Sequence, residues 1–227
     1  MIPKTYSTFF KELKQNNHKE WFHANRIRYE NDVKIPFLNL LNAVIPKLME
    51  WERKIDGDAK KALFRIHRDI RFAKDKSPYH TIMKAGFSPN GKKSKLPGYY
   101  LGIDAESVHV GGGLFGVETS ELRKLRYAIA ENPDTFLKII NDTRFLQKFG
   151  SLKGEKAKRL DKELMAAAEK TDVIFNRQFY AMATFPLAKF YDSEALVDDV
   201  LGYFATIQPL NAYLNNGLTS LNLFRNL

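Results

Sequence analysis

The sequence predicts an α+β protein, with a central antiparallel or mixed sheet flanked by helices at the amino and carboxyl ends. Apolar residues recur at helical spacing near both ends of the chain and alternate with polar residues in its middle third. The regular β-α-β alternation of a parallel sheet is absent. Because no internal repeat or flexible linker divides the chain, we expect residues 1–227 to form one domain.

The first elements are predicted to be helices. An apolar stripe at i, i+3, i+4 and i+7 predicts a first amphipathic helix; it consists of Tyr6, Phe9, Phe10 and Leu13. Asn17, with Glu20 three residues later, resembles a capping box for the next helix. That helical pattern runs on to Leu48, and Pro36 and Pro46 are expected to kink or divide it.

The middle third changes to a period of two residues. Over residues 64–72, apolar side chains alternate with Arg65, His67, Asp69 and Arg71, which predicts a strand with those four side chains on one face. Arg68 falls on the apolar face. Residues 81–87 predict a second strand, and residues 99–103 and 108–110 predict a hairpin around the turn at 104–107.

Helices return near Thr119. Asn132 followed by Pro133 fits a helix start, with an asparagine cap and proline at the first helical position. The charged stretch 151–170 is expected to be a solvated helix and its approach. Residues 179–185 predict a strand, and Asp192 or Ser193 is expected to cap a last helix that Pro209 bends or ends.

Composition limits the possible classes of protein. With 44% hydrophobic residues the chain is able to build a core, and without cysteine it has neither disulfides nor thiolate chemistry. No apolar run approaches the roughly 20 residues of a membrane span, and the amino terminus lacks a signal peptide's apolar segment. We therefore expect a cytoplasmic protein with no membrane partner.

The positive charge is concentrated in one segment. Residues 60–95 hold eleven Lys and Arg against two Asp, which accounts for nine of the chain's ten net positive charges. Such a surface favours an anionic partner. Within it, the block Arg65-x-x-Arg68-Asp69-x-Arg71-Phe72-x-x-Asp75-Lys76-x-Pro78-Tyr79 resembles the signature of a family of conserved hypothetical proteins, domain of unknown function 2461 (DUF2461). The resemblance implies one compact domain and no particular activity.

The block predicts an anion site, and two alternatives stay open. The predicted ligand-binding residues are Arg65, Arg68, Asp69, Arg71, Asp75, Lys76 and Tyr79. The ligand would be a small phosphorylated or carboxylated molecule or a nucleic acid, because arginine binds both anions in a bidentate manner. The first alternative is an enzyme acting on such a molecule, with His67 and Asp69 as weak catalytic candidates. The second is an internal charge lattice with pairs Arg65–Asp69 and Arg71–Asp75.

Gly111, Gly112 and Gly113 are a secondary candidate for a phosphate-binding loop, since they follow a predicted strand and precede a predicted helix. A bulge or tight chain reversal is the simpler explanation of these glycines. No metal or cofactor is expected, because the neighbouring cations would repel a divalent ion. The sequence does not predict the oligomeric state.

Overall fold

A computed structural model of the chain describes residues 1–219. The described residues form a four-stranded antiparallel sheet, with helices before its first strand, between its third and fourth strands and after its last strand, which confirms the predicted α+β class. Within this range, no helix has both the length and the apolarity that crossing a membrane requires.

The amino-terminal region is helical, as predicted. Its elements are α1 (Lys4–Gln15), α2 (Lys19–Ala24), α3 (Arg26–Arg28), a π-helix (Tyr29–Lys34), α4 (Ile35–Met49) and α5 (Ala59–Ala62). The whole predicted apolar stripe of α1 is buried. Pro36 lies where the π-helix passes into α4, and Pro46 lies inside α4.

The predicted cap of α2 is wrong. His18 caps this helix by accepting a hydrogen bond from the Trp21 amide, at 3.4 Å between the two nitrogens. The side chain of Asn17 instead bonds the backbone of Tyr79, a residue 62 positions away. A capping box is a local pattern, and it does not register a long-range competitor for the same side chain.

The sheet consists of β1 (Ile82–Phe87), β2 (Gly98–Asp104), β3 (Ser107–Leu114) and β4 (Phe179–Pro186), in that spatial order. Its elements confirm the predicted strand at 81–87, the hairpin around residues 104–107 and the strand at 179–185. Strand β3 is longer than predicted and includes Gly111, Gly112 and Gly113.

The predicted strand over residues 64–72 is wrong. Asp69 accepts a hydrogen bond from the Arg71 amide at 3.3 Å, and Asp75 accepts one from the Ser77 amide at 2.9 Å. These local bonds from Asp side chains to the backbone two residues on close turns and compete with strand pairing. The apolar alternation therefore ends in a loop.

The remaining helices are α6 (Thr119–Glu131), α7 (Pro133–Ile140), α8 (Thr143–Phe149), α9 (Met165–Lys170) and α10 (Ala195–Thr219). Asn132 caps α7 ahead of Pro133, as predicted. In the charged stretch 151–170, only α9 and a short 3₁₀ turn (Lys162–Leu164) are helical. Ser193 accepts a hydrogen bond from the first amide of α10, and this helix continues past Pro209.

The described chain divides into two compact units. The first contains Met1–Lys93, Tyr100–Val110 and Thr184–Gly202; the second contains Ser94–Tyr99, Gly111–Ala183 and the described residues from Tyr203. Fully buried aromatic side chains form part of the core in each unit, including Phe9 and Phe37 in the first and Phe136 and Phe179 in the second. This division does not test the expectation that residues 1–227 form one domain, which stays a prediction.

Candidate functional site

The basic block folds back on the chain that follows it. The Lys84 carbonyl accepts a hydrogen bond from the Phe64 amide, and the Ile66 carbonyl accepts one from the His80 amide, each at 2.8 Å. A third bond of 2.8 Å joins the Arg68 amide to the Pro78 carbonyl. Residues 69–77, the 69–77 loop from here on, are therefore closed at their base by an antiparallel pair of segments.

The two segments of this pair differ in length. Leu63 is bridged to Ala85 and His67 to Tyr79, so three residues on one side lie opposite five on the other. The two extra residues form a bulge, a feature that redirects side chains and often occurs beside binding sites. Here His80 and Lys84 meet, with 3.5 Å between His80 Nδ1 and Lys84 Nζ.

Four basic side chains lie around this bulge: Arg65, Arg68, His80 and Lys84, called the basic cluster below. Burial first, then the positive charges of the other three side chains, lowers the pKa of His80 to about 4. The imidazole is therefore neutral near pH 7. Burial and the charge of Arg68 also lower the pKa of Lys84.

No carboxylate among the described residues forms an ion pair with Arg65 or Lys84. Arg65 is exposed, whereas Lys84 is half-buried on β1 between the buried residues Met83 and Ala85. An ammonium group in such a position loses part of its hydration without gaining a counter-charge. Within the basic cluster, Arg65 and Lys84 thus carry positive charges that form no ion pair among the described residues.

Arg68 and Arg71 do have carboxylate partners, and the partner of Arg71 is not the predicted one. The predicted pairs Arg65–Asp69 and Arg71–Asp75 are wrong; Arg71 bonds Asp69 with two nitrogens at 3.0 and 2.7 Å. Arg68 Nη1 donates to Asp75 at 2.5 Å and to the Ser77 carbonyl at 3.1 Å. The loop turns bring these partners together, whereas an extended strand would not.

The pairing stabilises the ionised carboxylates. Hydrogen bonds from the side chain and backbone of Arg71 lower the pKa of Asp69. Hydrogen bonds from Ser77, and then from Arg68, hold the pKa of Asp75 well below its usual range. Both carboxylates therefore stay charged near neutral pH and neutralise part of the 69–77 loop.

Lys76 and Phe72 complete the 69–77 loop. The Lys76 ammonium donates to the Ile70 carbonyl at 3.1 Å and reaches the Arg71 carbonyl at 3.5 Å, which ties the two ends of the loop. The Phe72 side chain is 96% exposed, and its ring centroid lies 5.9 Å from the Arg71 guanidinium carbon. The prediction that Phe72 lies on the apolar face of a strand is therefore wrong.

Tyr79 belongs to the packed interior and does not line the basic cluster with an exposed ring. It is 3% exposed and stacks on Phe22, with 4.0 Å between ring centroids and an interplanar angle of 16°. Asn17 bonds both the N–H and the C=O of Tyr79. His67 packs against the Tyr79 ring at 5.2 Å between centroids. Tyr79 therefore fixes one end of the 69–77 loop.

The three glycines lie within β3, buried between neighbouring backbone segments. A Cβ atom on Gly111 would lie 2.3 Å from the Ala181 carbonyl oxygen, and one on Gly113 would lie 2.2 Å from that of Phe179. A Cβ on Gly112 would lie 2.6 Å from the Gly98 carbonyl oxygen. Close packing explains these residues without a phosphate.

The family model for conserved hypothetical proteins, DUF2461, matches residues 5–213. The chain belongs to the DUF2461 family. No curated protein matches the chain. Membership of this family assigns no reaction, so the arrangement of side chains is the basis for any functional proposal.

Sequence reasoning missed three residues in this region of the DUF2461 chain: Asn17, His80 and Lys84. The sequence did indicate the position of Lys84, because a lysine flanked by the buried residues Met83 and Ala85 must lie on the opposite face of β1. No local pattern indicated the positions of His80 and Asn17, since these depend on the bulge and on a contact across 62 residues. Among the described residues, no three His, Asp or Glu side chains are grouped to hold a metal ion.

Proposed function

We propose that this protein binds a small anion bearing phosphate or carboxylate groups, and that the basic cluster holds it. The observation that carries the proposal is the half-buried Lys84 ammonium beside His80, which has no carboxylate partner within residues 1–219. A bound anion would supply the missing counter-charge. It would also offset the repulsion between Lys84 and Arg68.

Arg68 supports the same proposal through its unused donors. Only its Nη1 atom donates hydrogen bonds to described residues, so its Nε and Nη2 edge has no partner there. That edge of a guanidinium is the one suited to two parallel bonds with a phosphate or carboxylate. The Asp75 carboxylate meanwhile holds the guanidinium in place. Arg68 is thus oriented before a ligand arrives.

The internal charge lattice is the second candidate function, and one observation favours it. Arg71 and Asp69 form a bidentate pair that leaves neither charge uncompensated. In this alternative the 69–77 loop is a structural element and its arginines bind nothing. Exposed ion pairs contribute little to stability, so this role does not explain Lys84.

Calorimetric titration with pyrophosphate, and separately with citrate, tests the proposal in low-salt buffer. For the Lys84→Met variant we expect affinity to fall about tenfold to hundredfold, because a hydrogen bond to a charged group contributes about 1.5–3 kcal/mol. Lys74→Met is the matched control: Lys74 is an exposed lysine of the 69–77 loop with no partner among the described residues. This control should bind as the wild type does.

A short single-stranded oligonucleotide, titrated at two ionic strengths, separates a small ligand from a nucleic acid. A polyanion would lose affinity steeply with salt and would respond equally to Lys74→Met and Lys84→Met, because each change removes one charge. A small ligand would respond to Lys84→Met alone. If the wild-type protein binds neither pyrophosphate nor citrate, the proposal is contradicted. The internal charge lattice is then the candidate function that remains.

A further inference from the structure

A hydrogen-bonded chain of three side chains lies on the face of the sheet opposite the core. Asp104 ends β2, His109 lies on β3 between the buried residues Val108 and Val110, and Thr184 lies on β4. His109 Nε2 is 2.9 Å from Asp104 Oδ2, and His109 Nδ1 is 3.0 Å from Thr184 Oγ1. These contacts do not involve the basic cluster.

The carboxylate fixes the direction of both hydrogen bonds. An ionised Asp104 only accepts, so His109 Nε2 carries a proton and donates it to Oδ2. In a neutral imidazole the other nitrogen then has a free lone pair, and His109 Nδ1 accepts the proton of the Thr184 hydroxyl. This arrangement, with a carboxylate orienting a base that contacts a hydroxyl, is the one that activates a nucleophilic oxygen.

The orienting carboxylate is itself held in place. Asp104 Oδ1 accepts hydrogen bonds from the amides of Glu106 and Ser107, at 2.8 and 2.7 Å, which leaves Oδ2 to His109. Burial raises the pKa of Asp104, but the hydrogen bonds from His109 and from these two amides outweigh it, so the net pKa is lowered. The carboxylate therefore stays ionised near neutral pH.

A fourth group on the same face is the hydroxyl of Tyr100. Its oxygen lies 2.7 Å from the point where a Cβ on Gly102 would be, so the ring covers this glycine of β2. Within the described residues the hydroxyl has no hydrogen-bond partner. Burial and the charge of Asp104 raise the pKa of Tyr100 to about 12, so the phenol keeps its proton near neutral pH.

We propose that Thr184, His109 and Asp104 form a hydrolytic site for small carboxylic esters. Thr184 Oγ1 bonds to the ester carbon and its proton passes to His109 Nδ1. The bond from carbon to the leaving oxygen breaks, and this oxygen takes the proton from His109. Water then attacks the acyl-threonine, gives a proton to His109 and releases the acid, and the proton returns to Thr184.

Hydrolysis of p-nitrophenyl acetate by the full chain tests this site. Thr184→Val replaces the hydroxyl by a methyl group of similar size, and we expect hydrolysis to fall about 100-fold or more. Thr184→Ser keeps an oxygen and should retain measurable hydrolysis. His109→Gln should lose as much as Thr184→Val. Mass spectrometry should find one acetyl group on Thr184 in the wild type and none in Thr184→Val.

Thr8→Val on α1 is the matched control, because it makes the same change at an exposed hydroxyl whose one partner among the described residues is the Lys4 carbonyl. It should hydrolyse the ester as the wild type does, and melting curves should show all variants folded. Wild-type hydrolysis no faster than that of His109→Gln overturns the proposal. Full hydrolysis by Thr184→Val also overturns it, since an imidazole alone would then be the nucleophile.

Discussion

At the scale of single residues, Gly113 and Lys84 are under different constraints. The lack of room beside the backbone explains why residue 113 is a glycine, whereas the feature that matters at Lys84 is its positive charge. Gly113 has φ of +115°, in the region that L side chains rarely adopt, and its backbone lies against β4. Lys84 instead is half-buried and has no counter-charge among the described residues. The two positions therefore differ in what a substitution tests: folding at Gly113 and binding at Lys84.

Replacing Gly113 by Ala should lower the free energy of unfolding by about 3 kcal/mol or more. The new Cβ would lie 2.2 Å from the Phe179 carbonyl oxygen, at a φ unfavourable for alanine. Urea unfolding measures the change. Gly116→Ala is the control, because no atom of a described residue other than its chain neighbours lies within 4 Å of the new Cβ, and the stability should change by less than about 1 kcal/mol. Equal stabilities for the two variants would contradict the close packing of β3.

The roles of some single residues were predictable from the sequence because they depend on local patterns. Tyr6, Phe9 and Leu13 follow a local period, and α1 buries all three as expected. Asn132 and Pro133 are neighbours whose roles at a helix start are local too. Asn17 was assigned to a local cap, but it bonds Tyr79, and no local pattern carries that information.

At the scale of elements, the 69–77 loop is a turn structure held by its own side chains. Arg68, Asp75 and Lys76 tie its two ends, while Asp69 and Arg71 close a turn within it. The loop presents Phe72 to solvent on this framework. Asp69, which bonds the backbone two residues ahead, ends the predicted strand, and an alternation of apolar residues alone does not reveal this bond.

Replacing Arg68 by Met should loosen the 69–77 loop. Asp75 then loses its guanidinium partner and the Ser77 carbonyl loses a donor, so backbone amides of the loop should exchange with deuterium several-fold faster. Arg65→Met is the matched control, because Arg65 has no ion pair among the described residues. Arg65→Met should weaken pyrophosphate binding and leave exchange unchanged. Equal exchange in both variants would show that the Arg68–Asp75 pair does not hold the loop.

At the scale of the whole molecule, the net charge of +10 is a useful but coarse guide. Its concentration in residues 60–95 favoured an anionic partner for that segment. It did not distinguish Arg71, which is paired with Asp69, from Lys84, which forms no ion pair among the described residues. That distinction needs the bulge opposite Arg65, which joins His80 to Lys84.

The α+β class was predictable because each predicted strand and helix depends on residues close in sequence. The assignment of residues 5–213 to the DUF2461 family agrees with the resemblance stated from the basic block. The outer face of the sheet was not predictable as a site. Asp104, His109 and Thr184 come from three strands, and only the strand order places them in contact.

The most direct test of the basic cluster is an NMR titration of His80 with and without saturating pyrophosphate. Without ligand, the nearby positive charges and burial keep the pKa of His80 at about 4, well below the usual value near 6.5. A bound anion favours the protonated imidazole, so the pKa should rise by at least one unit, a change of about 1.4 kcal/mol in the proton affinity. Binding of pyrophosphate that leaves the pKa of His80 unchanged would contradict the proposed site.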